Sequence, residues 1–378
     1  MIKFDIKKSI KFRTILLCHK KKTIKFISVI IFFIILVTKL IGNDKYPKKL
    51  HHHKKLKIGV VSVRNDINVG NCLIKYAISI VLSKLGFIPY IIATHYNNYN
   101  ITFVNKTTNL VIIKNNFSEI KRNDYDILMV NSDQTWRRID NNFYDYGFLK
   151  FSKNWNIKKF VYGASLGFDF WTLNSEDERI AKDLLKNFTG ISVREQGSVE
   201  LIKRHFNIIP EVVLDPTFLI NKENYLDLIT YYSNNILNKN DNYIFVYKIF
   251  QNKKLDNFTQ KSSKELNYSI YEIQLNNRTI IEDFIYSIFN SKAIITNSYH
   301  GSVFSIIFNK PFVAFNYKSY GAERLNSLGN LLEIQERIID ESQEPNVDLL
   351  RTSLNINLSK FEDLKKYSID FIKRNLNL

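Results

Sequence analysis

Apolar residues along this chain fall into short continuous runs broken by polar turns. Residues 58–63, 88–93, 126–130, 160–164 and 191–193 read as strands buried on both faces, since unbroken apolar runs of that length fit such strands. Between them, 72–85 and 196–205 carry helical spacing, and Gly86 supplies a C-cap for the first. Strand, helix and strand in succession predict a βαβ unit and a parallel sheet. A strand at 211–214 closes this series on Asp215-Pro216-Thr217, and a polar stretch follows at 221–242. The pattern then repeats. Strands at 243–248, 269–273, 293–296 and 311–315 alternate with helices at 256–266, 280–290, 302–308 and 325–332, and 361–375 is a final amphipathic helix. The fold class expected is α/β, in two halves of 57–217 and 218–378 divided near Pro216.

Ahead of these halves lies a different pattern. Residues 26–37, FISVIIFFIILV, are almost wholly apolar. Extended to 42, the run reaches the lower limit for a spanning helix, roughly 17 residues. No small-x-small cleavage site follows, so an uncleaved single-pass anchor at 26–42 is expected, after a basic segment at 1–25 and before a basic linker at 43–56. A helix lying in the interface is the other reading. Net charge is +18, from 54 Lys and Arg against 36 Asp and Glu. Of these, 16 basic and 2 acidic residues lie in 1–57, which leaves 38 basic and 34 acidic beyond, a net of +4. Positive charge thus belongs to the leader. It points to a membrane surface rather than to a nucleic acid. Basic residues flank the apolar run on both sides, so the side of the membrane that carries the body stays open. The two cysteines, Cys18 and Cys72, allow no disulfide framework and no cysteine-based zinc site. His51, His52 and His53 read as part of the linker.

Candidate chemistry gathers where strands end and helices begin, the place where open α/β sheets bind ligands. The sequence Asn297-Ser298-Tyr299-His300-Gly301 joins a strand to a helix. Free amides at that helix start suit an anion, and His300 is the residue there able to move a proton near neutral pH. The competing reading has His300 simply capping the helix. Asn68, Gly70 and Asn71 follow the first strand, either as ligand contacts or as a turn with an Asn cap. Asn131, Ser132 and Asp133 follow another strand. Arg194 stands at a strand-to-helix junction, either as a bidentate clamp for phosphate or carboxylate or in a structural pair with Glu195 or Asp215. Arg324 opens a later helix. No G-x-G-x-x-G occurs, which argues against a dinucleotide. Asp124 and Asp126 form a D-x-D, but it precedes its strand and so lies at the wrong end of the sheet.

Taken in order, several blocks resemble the polysaccharide pyruvyl transferase family: Asn68-x-Gly70-Asn71, Asn131-Ser132-Asp133-Gln134-x-Trp136, Val161 to Ser165, Ile191 to Glu195, Asp215-Pro216-Thr217, Thr296 to Gly301, and Glu323-Arg324. The resemblance covers about residues 57–335. Relatives commonly place Gly where this chain has Asn131, and many bacterial relatives lack the apolar leader. The resemblance implies two Rossmann-like domains in a GT-B-like arrangement. It implies phosphoenolpyruvate as co-substrate, a glycan or glycolipid acceptor, a pyruvate ketal as product, and no metal or nicotinamide cofactor. His300 is then expected as general acid or base and Arg194 as the holder of the donor's carboxylate or phosphate, with Arg324 assisting. Asn68, Gly70, Asn71 and Asp133 are expected to line the acceptor side, with Ser132, Asn297, Ser298 and Gly301 completing the binding site. The alternatives are a GT-B glycosyltransferase using a nucleotide sugar and a membrane-tethered glycan-binding protein.

Overall fold

The computed structural model describes residues 55–378 except 63–67, 95–99, 114–115, 139–141, 231–241 and 275–279. The expected anchor at 26–42, the basic segment at 1–25, most of the linker, Cys18 and His51–His53 lie outside the described residues. Among the described residues no helix is long and apolar enough to cross a membrane.

Twelve strands among the described residues form two parallel sheets. The first contains β1 (Lys57–Val61), β2 (Ile88–Thr94), β3 (Leu110–Ile113), β4 (Ile127–Val130), β5 (Lys158–Ala164), β6 (Gly190–Val193) and β7 (Glu211–Val212), in the order β3-β2-β1-β4-β5-β6-β7. The second contains β8 (Tyr243–Lys248), β9 (Ser269–Gln274), β10 (Ala293–Thr296), β11 (Phe312–Phe315) and β12 (Ile338–Ile339), in the order β12-β11-β10-β8-β9. Chain order reverses between β1 and β4 in the first sheet and between β8 and β10 in the second. In doubly wound sheets such reversals open a crevice at the carboxyl ends of the strands. Strands β4, β8, β10 and β11 are buried along their whole length, as two covered faces require.

The crossovers in the first half are α1 (Val69–Lys84), α2 (Asn100–Thr107), α3 (Phe143–Phe148), α4 (Ser175–Leu185) and α5 (Gly197–Phe206). A short α6 (Lys222–Leu228) precedes the second half, where α7 (Lys253–Leu266), α8 (Ile281–Asn290), α9 (Tyr299–Ile307) and α10 (Glu323–Leu332) follow. The final helix α11 (Leu358–Leu376) returns to the first sheet. Its Phe371 packs near Phe160 and Tyr162, and Ser368 Oγ accepts from the Leu214 amide at 2.9 Å. Burying Phe371 and Ile372 there contributes about 2 kcal/mol each by transfer. Both sheets belong to one compact unit, Lys55–Leu378. One apolar core also runs through both: Met129 and Tyr162 belong to the same cluster as Tyr247, Ile294 and Phe304.

Several helices start earlier than the sequence reading has them, and two of these differences matter for the site. Helix α1 begins at Val69 rather than 72, because the Asn68 side chain accepts from the Gly70 amide and caps it. Helix α9 begins at Tyr299 rather than 302, because Ser298 Oγ accepts from the Gly301 amide. Gly70, Asn71, His300 and Gly301 therefore lie in first turns, not in loops.

Candidate active site

The two crevices meet. Asn68 to Asn71 follow β1 and Asn131 to Asp133 follow β4, at the reversal point of the first sheet. Asn297 to Gly301 follow β10, at the reversal point of the second. Asn297 ties that point together: its Oδ1 accepts from the Ile249 amide beyond β8 at 2.8 Å, and its Nδ2 donates to the Phe250 carbonyl at 2.8 Å. The first turns of α1 and α9 touch. A Cβ placed on Gly70 would lie 2.7 Å from the Cβ of His300 and closer still to Nδ1 and Cγ. Gly70 is thus required because the imidazole occupies the space of a side chain. Gly301 answers a similar need, since a Cβ there would overlap Thr296 Oγ1.

Arg194, just past β6, is the hub. Its side chain is fully buried and grips three carboxylates: Nε donates to Glu195 at 2.8 Å, Nη1 to Asp215 at 2.8 Å and Nη2 to Asp133 at 3.0 Å. The Tyr299 ring covers it, 4.5 Å from the guanidinium carbon. Both structural pairs weighed in the sequence exist, and Asp133 adds a third. This revises the expected donor clamp, because three of the five N–H groups are taken and none of the guanidinium faces solvent. Arg324, in the first turn of α10, is the more available cation. It is partly exposed, Nη2 donates to the Tyr320 carbonyl at 2.7 Å, and its shielded Nε has no partner among the described residues.

His300 is 5% exposed. Asp215 Oδ2 lies 3.7 Å from its Nε2, which makes no hydrogen bond among the described residues. Oδ1 of the same aspartate accepts from the Thr217 amide at 3.0 Å and hydroxyl at 2.7 Å, so Asp215 is rigidly held between Arg194 and His300. Asp133 sits in the left-handed region, φ 95°, a conformation uncommon for a residue other than Gly. Its Oδ2 accepts from Asn71 Nδ2 at 3.1 Å, which links α1 to the hub. Ser132 instead turns inward, its hydroxyl donating to the Gly163 carbonyl at 2.8 Å.

Electrostatics follow from this packing. Burial opposes ionisation of Asp215, but His300 and Arg194 outweigh it and hold the carboxyl well below the ordinary range. Burial likewise opposes Asp133, and Arg194, His300 and Arg324 hold it below its ordinary value. At Glu195 burial wins over the pull of Arg194, so its carboxyl is raised. Burial pushes the Tyr299 phenol far above its usual value. Burial lowers Arg324, and Arg194 nearby lowers it further.

The three groups of interest therefore converge: His300 and Arg194 share Asp215, and Arg194 and Arg324 share the fields of Asp133 and Glu195. Ser298, Asn297, Ser132 and Asn68 are spent on caps and crosslinks that hold the site's backbone. Sequence reasoning missed Tyr299 as part of the hub, although it adjoins His300. Among the described residues no cluster of three His, Cys, Asp or Glu side chains is placed to hold a metal ion.

Comparison with known proteins bears on this geometry. No curated protein matches the chain. Among solved structures it is similar to the S. aureus MnaA-UDP co-structure, with 12% identity, 86% of this chain and 98% of that one covered, and a TM-score of 0.52. It is also similar to the UDP-GlcNAc 2-epimerase from Methanocaldococcus jannaschii, with 15% identity, 86% and 99% covered, and a TM-score of 0.50. At such identities the likeness is one of fold: α/β with parallel sheets, on GT-B-like lines. The polysaccharide pyruvyl transferase model matches residues 68–319, well over half of the chain, from the cap of α1 through Arg194 and His300. This chain belongs to the polysaccharide pyruvyl transferase family and is an enzyme of that type.

Proposed function

We propose that the enzyme moves a pyruvyl group from phosphoenolpyruvate onto two hydroxyls of one glycan sugar, forming a cyclic ketal and releasing phosphate. Carbon three of the enol gains a proton, one sugar hydroxyl adds to carbon two and loses its own, and a second hydroxyl then displaces phosphate, which leaves with that hydroxyl's proton. The observation that carries this reading is His300, buried against Asp215, the aspartate that Arg194 also grips, where the first turns of two helices touch.

In this reading His300 delivers or takes the proton, and Asp215 orients it and stabilises its charged form. Arg324 meets the donor's negative charge first, assisted by the amides of the α9 first turn. Arg194 holds Asp133, Glu195 and Asp215 in place, a change from the direct clamp expected at first. Asn71 and Asp133 stand toward the acceptor hydroxyls from the first sheet. The acceptor is a glycan or glycolipid, and the reaction uses no other cofactor.

The test is direct. The enzyme is incubated with a β-galactoside acceptor and either phosphoenolpyruvate or nucleotide sugars. Phosphate release and a mass gain of one pyruvate ketal with the first donor support the proposal. Turnover with a nucleotide sugar alone makes the enzyme a glycosyltransferase instead. His300→Ala is expected to remove turnover, about 100-fold or more for a lost proton-transfer group, with thermal unfolding little changed. An active His300→Ala enzyme refutes the role.

A further inference from the structure

Past β5 the chain runs Ser165-Leu166-Gly167-Phe168-Asp169-Phe170-Trp171, a segment that neither the proton chemistry nor the anion site uses. It leaves the same sheet edge as the site, since Trp136 N donates to the Ser165 carbonyl and Asp133 bridges Ala164. Three packed groups form a slab here. The Arg137 guanidinium lies 4.5 Å over the Phe168 ring, and the Phe170 ring stacks on Phe168 with centroids 5.0 Å apart at 26°. Phe170, the outermost layer, is 55% exposed. The base of the slab is fixed: Trp171 stacks flat on His205 at 4.0 Å, and Arg137 Nη1 donates to Gln134 at 2.9 Å.

The slab adjoins the catalytic cleft. A Cβ on Gly321, three residues before Arg324, would overlap the Gly167 carbonyl, so the loop touches the segment that leads into α10. Core packing does not account for a large apolar ring left half in water while its neighbours are pinned. A flat, preorganised aromatic face beside an exposed carboxylate, Asp169, has the chemistry of a sugar platform. The apolar C–H face of a pyranose stacks on the ring, and the hydroxyls at its rim donate to the carboxylate. An anionic donor has no use for that face.

We propose that Phe170, backed by Phe168 and Arg137, is an acceptor subsite that stacks a neutral hexose unit of the glycan next to the unit that reacts. The inference rests on the transferase reading for the identity of the acceptor, but not for its test. The full-length enzyme is titrated by calorimetry with methyl hexosides and with neutral oligosaccharides of the same terminal sugars. The wild type is expected to bind an oligosaccharide about tenfold more tightly than its monosaccharide, a typical gain for one aromatic stack. Phe170→Ala is expected to erase that difference without changing monosaccharide affinity, and Phe170→Trp to restore it. Equal affinity in Phe170→Ala and the wild type, or no gain with length in the wild type, overturns the subsite. Phosphate release by the wild type is measured in parallel and judges the transferase reading separately. An enzyme that loses the length advantage in Phe170→Ala yet releases no phosphate keeps the subsite and loses the donor assignment.

Discussion

Gly70→Ala isolates the contact between the first turns of α1 and α9. A methyl group at this position would lie 2.7 Å from His300 Cβ and nearer still to the ring. Carbon contacts settle at about 3.5 Å or more, so the imidazole or the start of α1 must retreat by about 1 Å. Two effects on stability oppose each other. Alanine favours a helix over glycine by up to about 1 kcal/mol. Overpacking a close-packed contact costs about 1–3 kcal/mol. The net loss is then about 0–2 kcal/mol, a shift in Tm of only a few degrees for a chain this size. Activity responds more sharply, because a misplacement of about 1 Å in a catalytic group costs about 100-fold in rate. Steady-state phosphate release should therefore show kcat down about 100-fold with a nearly intact melting curve. The double variant decides whether the clash is the cause. In a His300→Ala background the ring contacts are gone and only the 2.7 Å contact with Cβ remains, so Gly70→Ala should cost clearly less Tm there than in the wild type. Wild-type kcat in Gly70→Ala, or a stability change that adds with that of His300→Ala, would refute the reasoning.

Two further predictions concern the buried charges. Asp215→Asn removes one carboxylate from a fully buried guanidinium, and breaking such a pair costs about 3–5 kcal/mol; urea unfolding should show a loss near the lower figure, since Asp133 and Glu195 remain, and a loss under about 1 kcal/mol would mean that the pair is not coupled to folding. The pH dependence separates the acids. The raised carboxyl of Glu195 contributes stability that is present below the ordinary glutamate pKa and lost as pH climbs through its folded value. Asp133 and Asp215, both lowered, contribute stability that is present above the ordinary aspartate value and lost as pH falls. Melting scans of Glu195→Gln across the acidic to neutral range should flatten the upper limb and spare the lower; an unchanged upper limb would count against the burial of that carboxyl.

Much of this was legible in the chain. Apolar runs such as ILMV before Asn131 and AIIT before Asn297 are long enough to be strands and too short for helices, and their polar sequels mark the crevice. The strands β3 and β12 escaped notice, the first because Asn-rich turns crowd it and the second because two residues carry no periodicity. Helix α4 escaped too, although Asn174 caps it and Glu176, Asp177 and Glu178 fill its first turn, a readable start signal. The site's residues were legible as a set of loop positions, but only some of their partners were. Arg194 beside Glu195 is a neighbour in sequence, whereas its bond to Asp133 spans 61 positions and depends on the sheet order. Gly70 against His300 is further still, a contact between two helix starts that no local pattern encodes.

The charges at the hub explain why three carboxylates accompany two guanidiniums in a cleft read as binding an anion. Asp133 and Asp215, both held below the ordinary aspartate value, set two negative charges against the two guanidiniums, while burial raises the Glu195 carboxyl beside them. Arg194 cannot then act as a free counterion without leaving three acids unpaired in a buried place, which is why it is better read as the frame than as the hand. A doubly anionic donor entering this balance adds negative charge beside Glu195, and that charge works in the same direction as burial does on its carboxyl. The reaction proposed needs a proton at carbon three of the enol. In this reading His300, the proton-transfer group of the site, supplies it, with Asp215 beside the imidazole to orient it.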